Sequence, residues 1–231
     1  MIQISNLSKI YSDVTVLNID SLTIPQGESF GLVGNNGAGK TTLFRLILDL
    51  IEANSGNVTI DGEPVARRDE WKSLVGSFLD EGFLIDYLTP DEYFKFVGKL
   101  YHKSEGDIAQ FLEGMKDFFN DEILGGKKLI RDLSKGNQKK VGIAAALISD
   151  PKILILDEPF TALDPSSQIR LKRLLNDLQE KDHMTMLISS HDLNHVTEVC
   201  KRTVVLEKGK IVRDIQTSED TLEQLQSYFA V

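Results

Sequence analysis

Apolar and polar positions alternate at the start of the chain. Asp20-Ser-Leu-Thr-Ile24 and Ser29-Phe-Gly-Leu-Val33 are alternating or apolar, and Pro25-Gln-Gly27 punctuates them, so residues 2–33 read as strands joined by turns. The period then changes. Leu43, Leu46, Ile47 and Leu50 recur at helical spacing, which predicts a helix over 40–50. Residues 54–57 read as a turn, 58–60 as a strand, and Asp61-Gly62 as another turn. Residues 91–101 and 107–119 read as helices. From 137 onward the two periods alternate: helix 137–148, strand 153–157, helix 166–180, strand 184–189, helix 192–200, strand 203–207 and a turn at Lys208-Gly209. Strands alternating with helices predict a parallel sheet covered on both faces. A capped helix over 217–229, with Leu222, Leu225 and Phe229 on one face, closes the pattern.

The pattern makes the chain an α/β protein with a mostly helical insert at about 81–135. Ten of the seventeen aromatics fall between Phe78 and Phe119. They have two readings: the insert's own core, or a partly exposed pocket for a partner's helix. There is no internal repeat, low-complexity tract or linker.

Composition narrows the function. A net charge of -9 argues against nucleic acid as the main partner. The single cysteine, Cys200, cannot form an internal disulfide, which fits a reducing cytosol, and reads as a small buried helix residue. Residues 1–10 lack the apolar run of a secretory signal. The apolar stretches around Val141–Ile148 and Ile153–Leu156 fall far short of the roughly 20 residues that span a bilayer. Any membrane role is therefore expected to come from a partner.

Two motifs carry chemistry. Gly34-Asn35-Asn36-Gly37-Ala38-Gly39-Lys40-Thr41 follows an apolar strand and opens a helix, the setting of a phosphate-binding loop. Its glycines let backbone N–H groups face phosphates, and the helix adds its positive end. Lys40 is expected on the β- and γ-phosphates, Thr41 on Mg²⁺, and Thr42 as a further phosphate contact. Ile153-Leu-Ile-Leu-Asp157-Glu158 is an apolar strand ending in two acids, which need a cation or donors. Asp157 is expected to hold Mg²⁺ through water, and Glu158 to act as general base.

A third motif, Leu133-Ser134-Lys135-Gly136-Asn137-Gln138, lies one helix ahead of that strand. Together the three resemble the ATP-binding cassette (ABC) family, over nearly the whole chain from Tyr11 to His191. The resemblance implies a P-loop NTPase (RecA-like) core at 1–80 and 136–231, an N-terminal antiparallel β subdomain, and the helical insert, all one domain over 1–231. It implies ATP and Mg²⁺ as cofactors and a dimer, with Ser134, Gly136 and Asn137 acting on ATP held by the opposite subunit. Lys135 and Asn137 stand where the family more often has glycine and glutamine. His191 matches the family's switch histidine, and Ala162-Leu163-Asp164 the loop that couples the two sites. Tyr11 and Val16 have the spacing of the adenine contact, with a strand-edge tyrosine as the other reading. His102, His183 and His195 match nothing and read as surface residues.

One position departs from the pattern. The family's usual glutamine after Val75-Gly76 is replaced within Ser77-Phe78-Leu79-Asp80-Glu81. Asp80 aligns with it as a metal contact, and Glu81 is the rival. The resemblance implies a cytoplasmic subunit, peripheral on the inner face of the cell membrane through integral permease subunits, and points to export. A soluble non-transport ABC ATPase and a weakly hydrolysing regulatory subunit are the alternatives.

Overall fold

The alternating N-terminal stretch folds as β1 (Ile2–Tyr11), β2 (Val14–Ile24) and β3 (Ser29–Val33) in a computed structural model that describes residues 1–230. Then come α1 (Lys40–Ile47), β4 (Ser55–Ile60), β5 (Glu63–Pro64), β6 (Val75–Phe78), α2 (Pro90–Leu100), α3 (Glu105–Gly114) and α4 (Lys116–Phe119). The alternating half holds α5 (Lys135–Leu147), β7 (Ile153–Leu156), α6 (Pro165–Asp182), β8 (Thr185–Ser190), α7 (Leu193–Val199), β9 (Arg202–Glu207), β10 (Lys210–Gln216) and α8 (Thr221–Phe229).

The strands form two sheets. An antiparallel sheet runs β2-β1-β4-β5, with Ile2 opposite Ile24, Ile4 opposite Leu22 and Leu7 opposite Ile19. All six of these side chains are buried, so the period-2 pattern fixes the register. The second sheet runs β10-β9-β3-β8-β7-β6; its pairs are parallel except β9–β10.

That second sheet separates two cores, and the alternation in its central strands sorts side chains between them. Phe30, Leu32, Ile153, Ile155 and Leu187 join α1 and the antiparallel sheet in one core. Val33, Leu154, Leu156, Met186 and Ile188 join α5, α6, α7 and the insert in the other. Each strand is apolar on both faces because each face is covered.

Several expectations need correction. The first helix stops at Ile47, and Asp49 turns left-handed (φ 51). Leu50 therefore leaves the apolar stripe and is half exposed. The strand expected at 58–60 begins at Ser55, inside the expected turn. The helix expected over 107–119 breaks at Gly114, which lets Phe118 and Phe119 turn inward, where Phe119 meets Phe94 at 5.7 Å between ring centres. β10 is a further strand that the pattern does not predict: it is an edge strand with mostly exposed residues, so it shows no buried face to read.

The aromatics divide between their two readings. Tyr93, Phe94, Phe118 and Phe119 are core, while Phe83, Tyr87, Phe96 and Tyr101 are exposed. Cys200 is buried just after α7, and burial pushes its thiol pKa up. No described helix is long and apolar enough to cross a membrane.

Candidate functional site

The parallel sheet brings the chemistry to one edge. Loops leaving the carboxyl ends of β3, β7 and β8 are neighbours because those strands are neighbours. Residues 34–39 leave β3 and enter α1. A side chain at Gly34 would meet the Leu206 carbonyl at 2.3 Å, and Gly39 sits at φ 109, so both positions require glycine. Lys40 is buried, its ammonium donating to the Gly34 carbonyl at 2.7 Å and lying 3.4 Å from Glu158.

Asp157, at the end of β7, is buried at 5% exposure. One of its oxygens accepts the Thr41 hydroxyl and the other the Ser189 hydroxyl. Glu158 follows in left-handed backbone at φ 48, uncommon for a residue other than glycine. Its N–H donates to Ser189 Oγ at 2.9 Å. Its carboxylate meets Lys40 on one oxygen and His191 Nδ1 on the other, at 2.8 Å. His191, just past β8, is half exposed and so can also face an incoming group. Lys40, Asp157, Glu158 and His191 thus lie together at one edge of the sheet.

The two acids after β6 divide. Asp80 caps a short 3-10 turn over Glu81–Phe83, accepting from the Gly82 N–H at 2.7 Å, and lies 3.9 Å from Arg45. Glu81 turns toward Lys139, 3.8 Å away. Both border a cleft of about 270 Å³ with Thr41, Lys139, Asp157, Glu158 and Thr161. A larger cavity, about 760 Å³, opens on the other side of the phosphate loop, against Asn35, Asn36, Gly37, Ala38, β9–β10 and α8; Asp157, Glu158 and His191 do not line it.

Ser134 caps α5, its hydroxyl accepting from the Asn137 N–H at 3.2 Å, and it is exposed. Gly136 packs so closely on the Ala162 carbonyl that a side chain would approach it to 2.7 Å. Gln138 holds the loop from below through the carbonyls of Ile130, Arg131 and Leu133. Ser134, Gly136 and Asn137 are absent from the lining of the Asp157–Glu158 cleft. Asp164 caps α6, and hydrogen bonds from Ser166 and Ser167 hold its carboxyl well below the usual carboxylate range. Val16 borders the phosphate loop through its carbonyl, 3.0 Å from where a side chain on Gly39 would begin. Tyr11 is 45% exposed with the Lys9 ammonium over its ring at 4.8 Å.

Three contributors were not legible in the sequence. Ser189 holds Asp157 and Glu158 at once, and Thr161 Oγ1 donates to the Glu158 carbonyl at 2.8 Å. Lys139, buried in α5, donates to that carbonyl at 2.8 Å and to Thr161 at 2.7 Å. Its burial lowers its pKa, with Glu81, Glu158 and Asp157 opposing. The one available signal was Lys139-Lys140 directly before the apolar half of α5, Val141–Leu147.

His195 corrects another expectation, since it is not a surface residue. Its side chain is 12% exposed and stacks on Phe160 at 4.5 Å between ring centres. His102 and His183 are exposed as read. Burial holds the His195 pKa below the ordinary histidine value of about 6.5, against the opposing pull of Asp192. The unfolded chain therefore takes up the proton first, and stability rises with pH through this range. That stability is full above about pH 6.5 and is lost as pH falls through the lower, folded value. Thermal melting between pH 8 and 5 should show a slope in the parent that flattens in His195→Phe, which keeps the ring and loses the proton. Equal slopes would refute it.

The fold and these loops define a nucleoside-triphosphate-binding P-loop protein, the RecA-like α/β class expected. Residues 17–161 match the family model described as ABC transporter, and the chain belongs to that family. The ABC transporter ATP-binding protein NatA of Bacillus subtilis is 34% identical over 92% of this chain and 88% of that protein. The lantibiotic transport ATP-binding protein SrtF of Streptococcus pyogenes is 33% identical over 99% of this chain and 96% of that protein. The chain spans 60% and 65% of two uncharacterized ABC transporter ATP-binding proteins, of Synechocystis and Nostoc, each 34% identical. Among solved structures, a dimeric ATP-binding cassette in a post-hydrolysis state with ADP and Pi superposes with a TM-score of 0.82, at 25% identity over 94% of this chain and 99% of that one.

Proposed function

We propose that this chain binds and hydrolyses ATP as the nucleotide-binding subunit of a transporter whose membrane-spanning subunits are separate chains. The observation that carries the reading is the convergence of Lys40, Thr41, Asp157, Glu158 and His191 at the carboxyl ends of three neighbouring parallel strands. The ATPase domain is 1–231, with 1–80 and 136–231 around the nucleotide and 81–135 the helical part.

ATP would lie with its phosphates on residues 34–42, where Lys40 neutralises the β- and γ-phosphates. Adenine would rest on Tyr11 beside Val16, since stacking needs only a flat ring. Thr41 and Asp157 fit Mg²⁺: both are hard oxygen donors, already in contact with each other. Among the described residues no group of three or more His, Cys, Asp or Glu could hold a metal, so phosphate oxygens and water would supply most ligands. When bound, Mg²⁺ supplies positive charge at the β- and γ-phosphates. Asp80 borders the cleft as a further candidate ligand, although one oxygen already caps its own turn.

Glu158 would take the proton from the attacking water as general base, and His191 would hold Glu158 and orient that water. Two copies would pair head to tail, so that Ser134, Gly136 and Asn137 of one cover the γ-phosphate held by the other. The likeness to dimeric cassettes supports this arrangement. Closing with ATP and opening after hydrolysis would drive permease subunits, with the chain peripheral on the cytoplasmic face of the membrane. Export is the favoured direction, supported by near full-length likeness to a protein named for lantibiotic transport.

The test is ATP hydrolysis by the purified chain over a hundredfold range of protein concentration. Composite sites require the rate per chain to rise with concentration and then level off. A constant nonzero rate per chain at all concentrations, down to those where the chain is monomeric by light scattering, would rule the composite site out. Absence of hydrolysis with ATP bound would rule out the enzyme reading.

A further inference from the structure

We infer that Lys139 is a positioning residue for hydrolysis: from α5 its ammonium ties the backbone of Glu158 to the loop that carries Glu81. The inference rests on the hydrolytic reading above and extends it to a residue that none of the three motifs contains.

A buried ammonium needs partners, and the identity of those partners tells what it does. Lys139 is 5% exposed. Its Nζ donates to the Glu158 carbonyl at 2.8 Å and to Thr161 Oγ1 at 2.7 Å, and lies 3.8 Å from Glu81 Oε1. Thr161 donates to the same carbonyl, which closes a three-membered ring of contacts around the turn after β7. The adjacent Lys140 is a natural control. It is just as buried, at 1% exposure, yet its partner is Glu122 at 3.0 Å, and it does not line the cleft.

The contact matters because of where Glu158 sits. Its left-handed backbone is sparsely populated for a residue with a side chain, so surrounding contacts must hold it. Ser189 holds its N–H, and Lys139 with Thr161 holds its carbonyl. With both ends of the residue fixed, its carboxylate points at Lys40 and His191. An error of about 1 Å at such a group is enough to cost about 10²-fold in rate.

Lys139 also lies one turn inside the helix that Ser134 caps and whose first turn holds Gly136. The segment that would meet the opposite subunit and the general base therefore share a rigid element. Glu81 belongs to the 3-10 turn that opens the insert after β6. One ammonium thus joins the trans-facing helix, the base and the entrance to the insert.

The test compares Lys139→Met, Lys139→Arg, Glu81→Gln, the Lys139→Met/Glu81→Gln pair and Lys140→Met with the parent. Lys139→Met should lower kcat about tenfold or more while KM for ATP stays within about twofold, and Lys139→Arg should recover most of the loss. The double variant should be no slower than Lys139→Met alone, since both substitutions break one link. Lys140→Met should leave kcat per folded chain unchanged. Amide hydrogen exchange without nucleotide gives a reading independent of turnover: Lys139→Met should speed exchange at 80–84 and 158–161 and leave the central strands alone. Parental kcat with parental exchange in Lys139→Met overturns the inference, as does a fall in kcat matched by Lys140→Met. If the parent itself does not hydrolyse ATP, the functional reading has failed, and the exchange pattern alone decides whether Lys139 holds the turn.

Discussion

Glu158→Gln is expected to keep ATP bound and to lower turnover by about 10²–10⁴, the usual contribution of a positioned general base. The substitution is nearly isosteric. An amide oxygen can still accept from Lys40, which lies 3.4 Å from the carboxylate, and an amide can still pair with His191 Nδ1, now at 2.8 Å. What the amide cannot do is take a proton from water. The backbone contacts to Ser189, Thr161 and Lys139 involve the N–H and carbonyl of residue 158 and are untouched. Binding should therefore survive, and dimers should accumulate with ATP because the step that releases them is slow. Single-turnover hydrolysis, equilibrium nucleotide binding and light scattering read these separately. Turnover within about threefold of the parent would remove Glu158 from the role and leave His191 as the group to examine.

Mixing two inactive variants should restore activity. Lys40→Met removes the phosphate-loop charge from a chain whose α5 start is intact. Ser134→Asp does the reverse: aspartate caps a helix as well as serine does, so α5 is kept, but a carboxylate now faces the expected γ-phosphate. Two like charges about 4 Å apart repel by about 4 kcal/mol at a surface-like dielectric, enough to suppress turnover far more than tenfold. Each variant alone should be inactive in both sites of its dimer. In a mixed dimer the two lesions fall into the same site, and the other site is whole. Random pairing makes half the dimers mixed with one good site of two, so an equal mixture should reach about a quarter of the parental rate if the sites are independent. A mixture no faster than its components, with mixed dimers demonstrated by differently tagged copies, would mean that Ser134 does not act across the interface.

The chemistry was legible in the sequence to the extent that it is local. The phosphate loop is a run of eight residues between a strand and the start of a helix, and Gly37 at φ 81 and Gly39 at φ 109 answer to backbone geometry within that run, whereas Gly34 answers to the Leu206 carbonyl on β9, which only the fold supplies. Asp157-Glu158 stood out because two acids directly follow an apolar strand, whereas His191 stood out only through the resemblance to the family's motif order. Strand and helix periods likewise located the central elements, because alternation and helical spacing are properties of neighbouring residues. The misses share a cause. Leu50 kept the helical spacing, but Asp49 ended the helix. β10 has no buried face to announce it. The helix expected over 107–119 broke where two phenylalanines gained more by turning inward than by continuing the helix.

The sequence by itself determined which residue types could bind phosphate, hold a metal and activate water, and the order in which they occur, since short motifs carry their own backbone requirements. Only the tertiary structure decided which distant side chains hold those residues in place. Ser189 reaches Asp157 across 32 positions, Lys139 reaches Glu158 across 19, and His195 finds Phe160 rather than solvent. Such pairings depend on the strand order β3-β8-β7 and on α5 packing beside it, and no local period encodes them. A lysine in a helix reads as solvated surface until the fold removes water from it and leaves the Glu158 carbonyl as its partner.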